Sequence, residues 1–136
     1  MKLRTRSKFF VAEGEIDFIV APRLTQPGAT SRHIGQHTAM VETPAEFLAK
    51  KVFYRASDFT ARDIFDWAFL IEHGEAQFLN DKTYRDKLEL ILRRIKRSDA
   101  ELRRSFISIA RTGYKADYDH CVGVISQFVS KIRSGI

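Results

Sequence analysis

Residues 8–42 carry apolar and polar side chains in short alternating segments, a pattern that predicts β-strands. The segments KFFVAE and EIDFIVA are rich in aromatic and β-branched residues, and Gly14 separates them, so we predict two paired strands. QHTAMVE is predicted to be a third strand. The intervening segment at 25–35, TQPGATSRHIG, has turn residues and few apolar ones, which predicts a loop.

From Thr43 onwards the apolar positions recur at helical spacing. In TPAEFLAKKVFYR, Thr43 is the predicted N-cap, Pro44 the first helical residue, and Glu46 the acid of a capping box. A second helix is predicted to begin after Thr60, with Asp63 as its capping acid, and to end near a glycine C-cap.

Three more helices are predicted in TYRDKLELILRRIKR, SDAELRRSFISIA and ADYDHCVGVISQFVSKI. Ser98 and Glu101 form a second expected capping box. We therefore predict a single α+β domain over 1–136, in which a small, mostly antiparallel sheet of about three strands (8–42) packs on about five helices (43–136). Three strands alone bury too little apolar surface to be stable, so the sheet should pack on the helices.

Composition narrows the class of protein. The formal net charge is +6, which favours anionic partners such as nucleotides or RNA, although a basic surface without a ligand gives the same number. Cys121 is the single cysteine, so no internal disulfide can form. No segment reaches the ~18 apolar residues of a membrane span. We expect a cytoplasmic protein with no membrane partner.

The second predicted helix is apolar almost all round, yet it keeps Asp63 and Asp66 on one face. Two neighbouring carboxylates on a buried helix need cations or hydrogen-bond donors. Lys51 and Arg55 on the first helix, with Arg62, can supply the cations. Two interpretations stay open, a structural ion network that joins the helices and a binding site.

Two other polar features also have two interpretations. Asp17 lies in the middle of a strand, where it is either on a solvent-facing side or a carboxylate that binds a metal such as Mg²⁺. The segment RRIKRSDAELRR is either a solvated helix face or a patch that contacts RNA. Its cations are Arg93, Arg94, Lys96, Arg97, Arg103 and Arg104.

The segments EIDFIVAP, VETPAEFLAKKVFYR and FTARDIFDWA together resemble the nucleotidyltransferase family of AbiEii-type toxins, from bacterial abortive-infection and toxin–antitoxin systems. In that family a strand with an acid precedes a TPEEILAEK helix and then an RDxxD helix. The resemblance covers about residues 8–75. It implies a nucleotidyltransferase-like C-terminal portion and an enzyme that, with Mg²⁺, transfers NMP from an NTP to an acceptor such as tRNA or another RNA.

The resemblance also implies roles for single residues. Asp17 would be a catalytic carboxylate that binds the metal. Lys51 would be a catalytic residue that reaches the nucleotide phosphates or an acid of the site, and Asp63, which belongs to the RDxxD motif, would also be catalytic. The residues expected to bind the nucleotide are Lys51, Arg55, Arg62 and Asp66.

One motif of that family, a glycine-led turn followed by a strand with Asp-x-Asp, does not precede Asp17. We therefore expect a truncated chain, a first half supplied by a separate polypeptide, or a gene start placed too late. An open strand edge would favour a homodimer. An antitoxin protein is a further implied partner. The alternative to the enzyme is a non-catalytic basic module that binds RNA or protein.

Overall fold

A computed structural model describes residues 5–135 and shows an α+β protein, with two antiparallel hairpins followed by helices. The first hairpin pairs β1 (Thr5–Val11) with β2 (Gly14–Val20), as predicted. The second pairs β3 (Ala29–Ile34) with β4 (His37–Glu42). The strands thus form two separate two-stranded sheets rather than the single three-stranded sheet that we predicted.

The loop prediction for 25–35 is wrong where β3 forms. Its side chains are mostly polar and gave no strand signal, but its backbone pairs with β4 along the whole strand. Gly35 makes this possible, because its φ of +61° lies at the first position of the two-residue turn. A positive φ at that position is what a type II′ hairpin turn needs.

Five α-helices follow in the described part of the chain. They are α1 (Pro44–Arg55), α2 (Ala61–Glu72), α3 (Arg85–Arg97), α4 (Asp99–Ile107) and α5 (Tyr118–Ser134). Short 3₁₀ turns connect them at Ala56–Asp58, Gln77–Asn80 and Lys82–Tyr84. The predicted helices therefore all form.

Of the three helix starts at which we predicted a capping acid, only the start of α2 has a complete capping box. Thr60 and Asp63 exchange both hydrogen bonds at the start of α2. Thr43 caps α1 by accepting from the amide of Glu46, but the Glu46 carboxylate does not return the bond. Ser98 makes no capping bond, because its hydroxyl accepts from the Arg94 guanidinium instead.

The core lies entirely within the helical part. Every buried apolar side chain in residues 5–135 falls between Leu48 and Val129, with Trp67 of α2 fully buried against Phe59. By contrast, the side chains of β1 and β2 from 6 to 20 are all exposed. The expectation that the strands pack on the helices therefore fails for the first hairpin. In the described chain, no helix has both the length and the apolar character to cross a membrane.

Candidate functional site

Two aspartates of α2 meet two cations of α1 where these helices pack together. The ammonium of Lys51 lies 2.9 Å from Asp63 Oδ1 and 2.7 Å from Asp66 Oδ2. Arg55 Nη2 lies 3.0 Å from Asp63 Oδ2, and Arg62 Nε lies 3.3 Å from Asp66 Oδ1. The five residues predicted to converge thus do so. We call them the α1–α2 charge cluster.

Local sequence explains how this cluster forms. Lys51 and Arg55 are four residues apart, and Asp63 and Asp66 are three apart, so each pair projects from one face of its helix. The short connection between α1 and α2 turns these faces toward each other. Asp63 is 1% exposed and also accepts the Thr60 amide, so its charge is met by donors from both helices. The cluster therefore links α1 to α2 whatever else it does, and removal of one member would leave a buried charge unpaired.

A pocket of about 270 Å³ opens beside the cluster. Its lining residues come from α1 and from the ends of β2 and β4: Ile19, Ala21, Glu42, Phe47, Lys50, Lys51, Tyr54 and Arg55. The pocket is therefore lined by three cations and two aromatic rings but by only one carboxylate. The Lys51 ammonium also lies 4.4 Å from the centroid of the Phe47 ring, a cation–π contact.

Arg55 is the cation of this pocket with the most unused hydrogen-bonding capacity. Its side chain is 44% exposed, and its ion pair with Asp63 runs through Nη2. Within residues 5–135 its other guanidinium nitrogens have no hydrogen-bond partner. A guanidinium held on one side by a buried carboxylate and open on the other is suited to an anionic oxygen, such as that of a phosphate.

Glu46 is a fully buried carboxylate that anchors the chain before β3. It accepts from the amides of Leu24 and Thr25, at 3.0 and 2.8 Å, and from the Thr25 hydroxyl at 2.8 Å. Lys50 bridges it to Glu42. Burial opposes ionisation of Glu46, but the hydrogen bonds from Thr25 and Leu24 and the charge of Lys50 outweigh it and lower its pKa.

The ion pairs described for Asp17 are with residues of the first hairpin and not with the charge cluster. On the exposed first hairpin, Arg6 Nη2 donates to Asp17 Oδ2 at 2.7 Å, and Lys8 lies 4.0 Å from the other carboxylate oxygen. No described ion pair joins Asp17 to Lys51, Asp63 or Asp66. The described ion pairs therefore do not join the predicted strand acid to the helix residues, and its role as a metal ligand stays a prediction.

The donor set of the described residues does not fit Mg²⁺. A Mg²⁺ site needs free carboxylate oxygens at near-octahedral positions. Asp63 and Asp66 are held by Lys51 and arginines, and Asp17 is held by Arg6. Between residues 5 and 135, no three side chains of His, Cys, Asp or Glu are grouped so that they could hold a metal ion.

A larger cleft, of about 1070 Å³, lies between the second hairpin and the helices. Its charged lining consists of Arg32 against Glu42, Glu75 and Asp81. An excess of carboxylates repels anions. Despite its greater volume, this cleft is therefore a poorer candidate for a phosphate-bearing ligand than the pocket beside Arg55.

A polar network that the sequence did not reveal joins α2 to α5. The Tyr114 hydroxyl donates to one oxygen of Glu72, and the ring of His120 lies 2.8 Å from the other. Both contacts lower the pKa of Glu72, with the larger effect from Tyr114. Burial raises the pKa of the neighbouring Cys121 thiol to about 11, which favours the protonated thiol at neutral pH. The partners are more than forty residues apart in sequence, so no local motif marks them.

The six cations of the segment RRIKRSDAELRR lie on α3 and α4, and we call them the α3–α4 corner. In the part of the chain that the structure describes, two of them form ion pairs and four do not. Arg94 pairs with Glu101 and donates to the carbonyl of Phe59. Arg103 pairs with Asp99 and Asp119. Within the described residues, four exposed cations of this corner make no hydrogen bond or ion pair: Arg93, Lys96, Arg97 and Arg104.

Comparison with known proteins does not extend these observations. No family model, no curated protein and no solved structure matches the chain.

Proposed function

We propose that the chain is a nucleotidyltransferase-like protein of the AbiEii toxin type, and that the pocket beside the α1–α2 charge cluster binds its NTP. The observation that carries the proposal is Arg55, which Asp63 holds at the side of a pocket lined by the rings of Phe47 and Tyr54. A nucleotide needs an anion-binding group and a surface for its base, and this pocket offers both.

Charge supports this choice more than size does. The volume of about 270 Å³ lies just below the ~300–1,000 Å³ typical of small-molecule pockets, so a bound nucleotide would extend beyond the pocket into solvent. Lys51 is already engaged by Asp63 and Asp66, so Arg55 and the more exposed Arg62 are the cations with donors to spare. Lys51 then positions the two aspartates rather than binding the phosphates alone.

The proposal assigns binding, and no chemical step, to the described residues. The resemblance implies transfer of NMP to an RNA acceptor and a neutralising antitoxin as partner. No group of side chains between residues 5 and 135 forms a site for Mg²⁺. We therefore propose that Mg²⁺ arrives bound to the NTP.

Titration with ATP, with and without Mg²⁺, tests the pocket. We expect Arg55→Gln to weaken ATP binding about tenfold, since it removes a charge-assisted hydrogen bond while keeping most of the side chain. Tyr54→Ala should weaken it by several-fold through loss of a ring surface, without touching the cluster. Isothermal titration calorimetry measures both.

Arg104→Gln is the matched control, because it removes an exposed arginine of α4 that does not line the pocket. Binding by this variant should equal that of the wild type. Absence of ATP binding at millimolar concentration, or an equal loss in the Arg104 and Arg55 variants, would remove the pocket from consideration.

The unpaired cations of the α3–α4 corner favour a second candidate, a basic module that binds RNA without catalysis. Each phosphate contact releases condensed counterions, so such binding weakens steeply with salt. We expect Arg93→Gln combined with Arg97→Gln to reduce the binding of a short single-stranded RNA and to lower the salt slope by about one to two units.

Fluorescence anisotropy with a labelled RNA at several salt concentrations measures this slope. Arg55→Gln serves as the comparison, because it removes one positive charge outside the corner. If the corner variants bind RNA as well as the wild type, or if Arg55→Gln alone has the same effect, the corner is a solvated surface.

A further inference from the structure

One face of the first hairpin carries five apolar side chains and the hydroxyl of Ser7, and no other part of the described chain covers it. Strand register places Phe9 and Val11 of β1 on the same face as Ile16, Phe18 and Val20 of β2. These five side chains are between 48% and 71% exposed. The Phe9 and Phe18 rings meet edge to face at 5.3 Å, so the face is ordered by its own contacts. We call it the apolar hairpin face.

The opposite face of the hairpin is charged and satisfied internally. Arg6 pairs with Asp17, and Lys8 pairs with Glu15, across the two strands. Ile19, on this charged side, lines the pocket beside α1. Since side chains alternate along a strand, the apolar hairpin face is directed away from that pocket.

We propose that a second copy of this chain covers the apolar hairpin face, packed face to face about a two-fold axis. An isolated two-stranded hairpin is marginally stable in water, and a contiguous apolar patch of this kind marks an interaction site. A face with no charged residue is complementary to a neutral apolar surface, and the same face of a second copy is such a surface.

The charge pattern selects this arrangement over pairing through strand edges. If a two-fold axis joined β2 to β2, Glu15 and Asp17 of one copy would lie beside Glu15 and Asp17 of the other copy. Joining β1 to β1 would do the same with Arg6 and Lys8. Like charges on neighbouring strands are destabilising. Face-to-face packing leaves both charged rows in water.

Pairing β1 of one copy with β2 of the next would match opposite charges, but it is head-to-tail. Such a contact does not close after two copies and leads to larger rings or open chains. The face-to-face arrangement is therefore the closed dimer that fits both the apolar pattern and the charge pattern of the hairpin.

The area of the face limits the strength of this association. Two strands of seven residues form a face roughly 23 Å long, at about 3.3 Å per residue. Its accessible area is a few hundred Å², well below the ~800 Å² that each partner contributes to a standard interface. We therefore expect a dissociation constant of tens of micromolar or weaker.

Sedimentation velocity from about 5 to about 500 µM tests the proposal, because mass action converts monomer to dimer over that range. We expect Phe9→Glu to weaken dimerisation at least tenfold. Phe10→Glu is the matched control: it introduces the same charge at the adjacent position of β1, on the charged face, where the phenylalanine is 79% exposed. It should dimerise like the wild type.

Circular dichroism shows whether each variant keeps its helices, and Val20→Lys repeats the test at another exposed position of the apolar face if Phe9→Glu unfolds. A wild-type chain that stays monomeric throughout overturns the proposal and leaves the face to a different partner. Equal losses from Phe9→Glu and Phe10→Glu also overturn it. Growth beyond the dimer would indicate head-to-tail pairing of strand edges instead.

Discussion

Glu46→Ala should lower the free energy of unfolding by about 3–5 kcal/mol, because it leaves several donors without their acceptor. The amides of Leu24 and Thr25 and the Thr25 hydroxyl all donate to this carboxylate. A fully buried donor left unpaired costs about 1–3 kcal/mol, and these partly buried donors together fall in the expected range. Lys50 also loses one of its two carboxylate partners. Urea denaturation followed by circular dichroism measures the change.

Glu42→Gln is the matched control for this variant. Glu42 shares Lys50 with Glu46, but its side chain is 46% exposed, so its ion pair is screened by water. We expect the control to change the free energy of unfolding by less than about 1 kcal/mol. An equally small effect of Glu46→Ala would mean that the segment at 24–25 is not held by this carboxylate.

The same carboxylate makes stability depend on pH in the acid range. The pKa of Glu46 is lowered in the folded chain, so the folded state binds fewer protons than the unfolded state as the pH falls. Its contribution is therefore fully present above the ordinary glutamate pKa of about 4.3 and is lost as the pH falls through the lowered folded pKa. Glu46→Gln should flatten this part of the stability profile.

Asp63→Ala should cost about 3–5 kcal/mol of unfolding free energy, the range found when one member of a buried ion pair is removed. Lys51, whose side chain is only 12% exposed, would keep Asp66 alone as its partner. Loss of the cap on the Thr60 amide would contribute about 1 kcal/mol of the total. Urea denaturation again gives the value.

Asp66→Ala provides the comparison on the same lysine. Asp66 is 19% exposed and caps no helix, so its removal should cost about half as much or less. Equal costs for the two aspartates would show that burial and capping at Asp63 add nothing. Because Asp63 also holds Arg55, its removal would also disturb the nucleotide binding that we propose, and Arg55→Gln is the better probe of the pocket.

The helices could be predicted from sequence because their signals are local. Thr60 and Asp63 are three residues apart and satisfy each other, so the start of α2 follows from four consecutive residues. The charge cluster was also predictable, since helical spacing and a short connection bring Lys51 and Asp63 together. The pattern shows which residues meet, but it does not show whether they serve binding or packing.

Features that depend on distant partners could not be predicted in this way. Glu46 has the position of a capping acid, yet its carboxylate binds amides that lie 21 and 22 residues earlier, which no local pattern indicates. β3 exists because β4 offers it a backbone partner, although its own side chains are mostly polar. Alternation along β2 does not reveal that the guanidinium of Arg6 donates a hydrogen bond to Asp17.

Because the core is confined to residues 48–129, the stability of the fold and the binding properties of the first hairpin depend on different residues. Substitutions on β1 and β2 remove no buried apolar contact, so they should change the melting temperature very little. Mutations there can nevertheless change the binding partners of the chain. New associations can therefore evolve at the hairpin without a loss of folding stability that selection would have to correct.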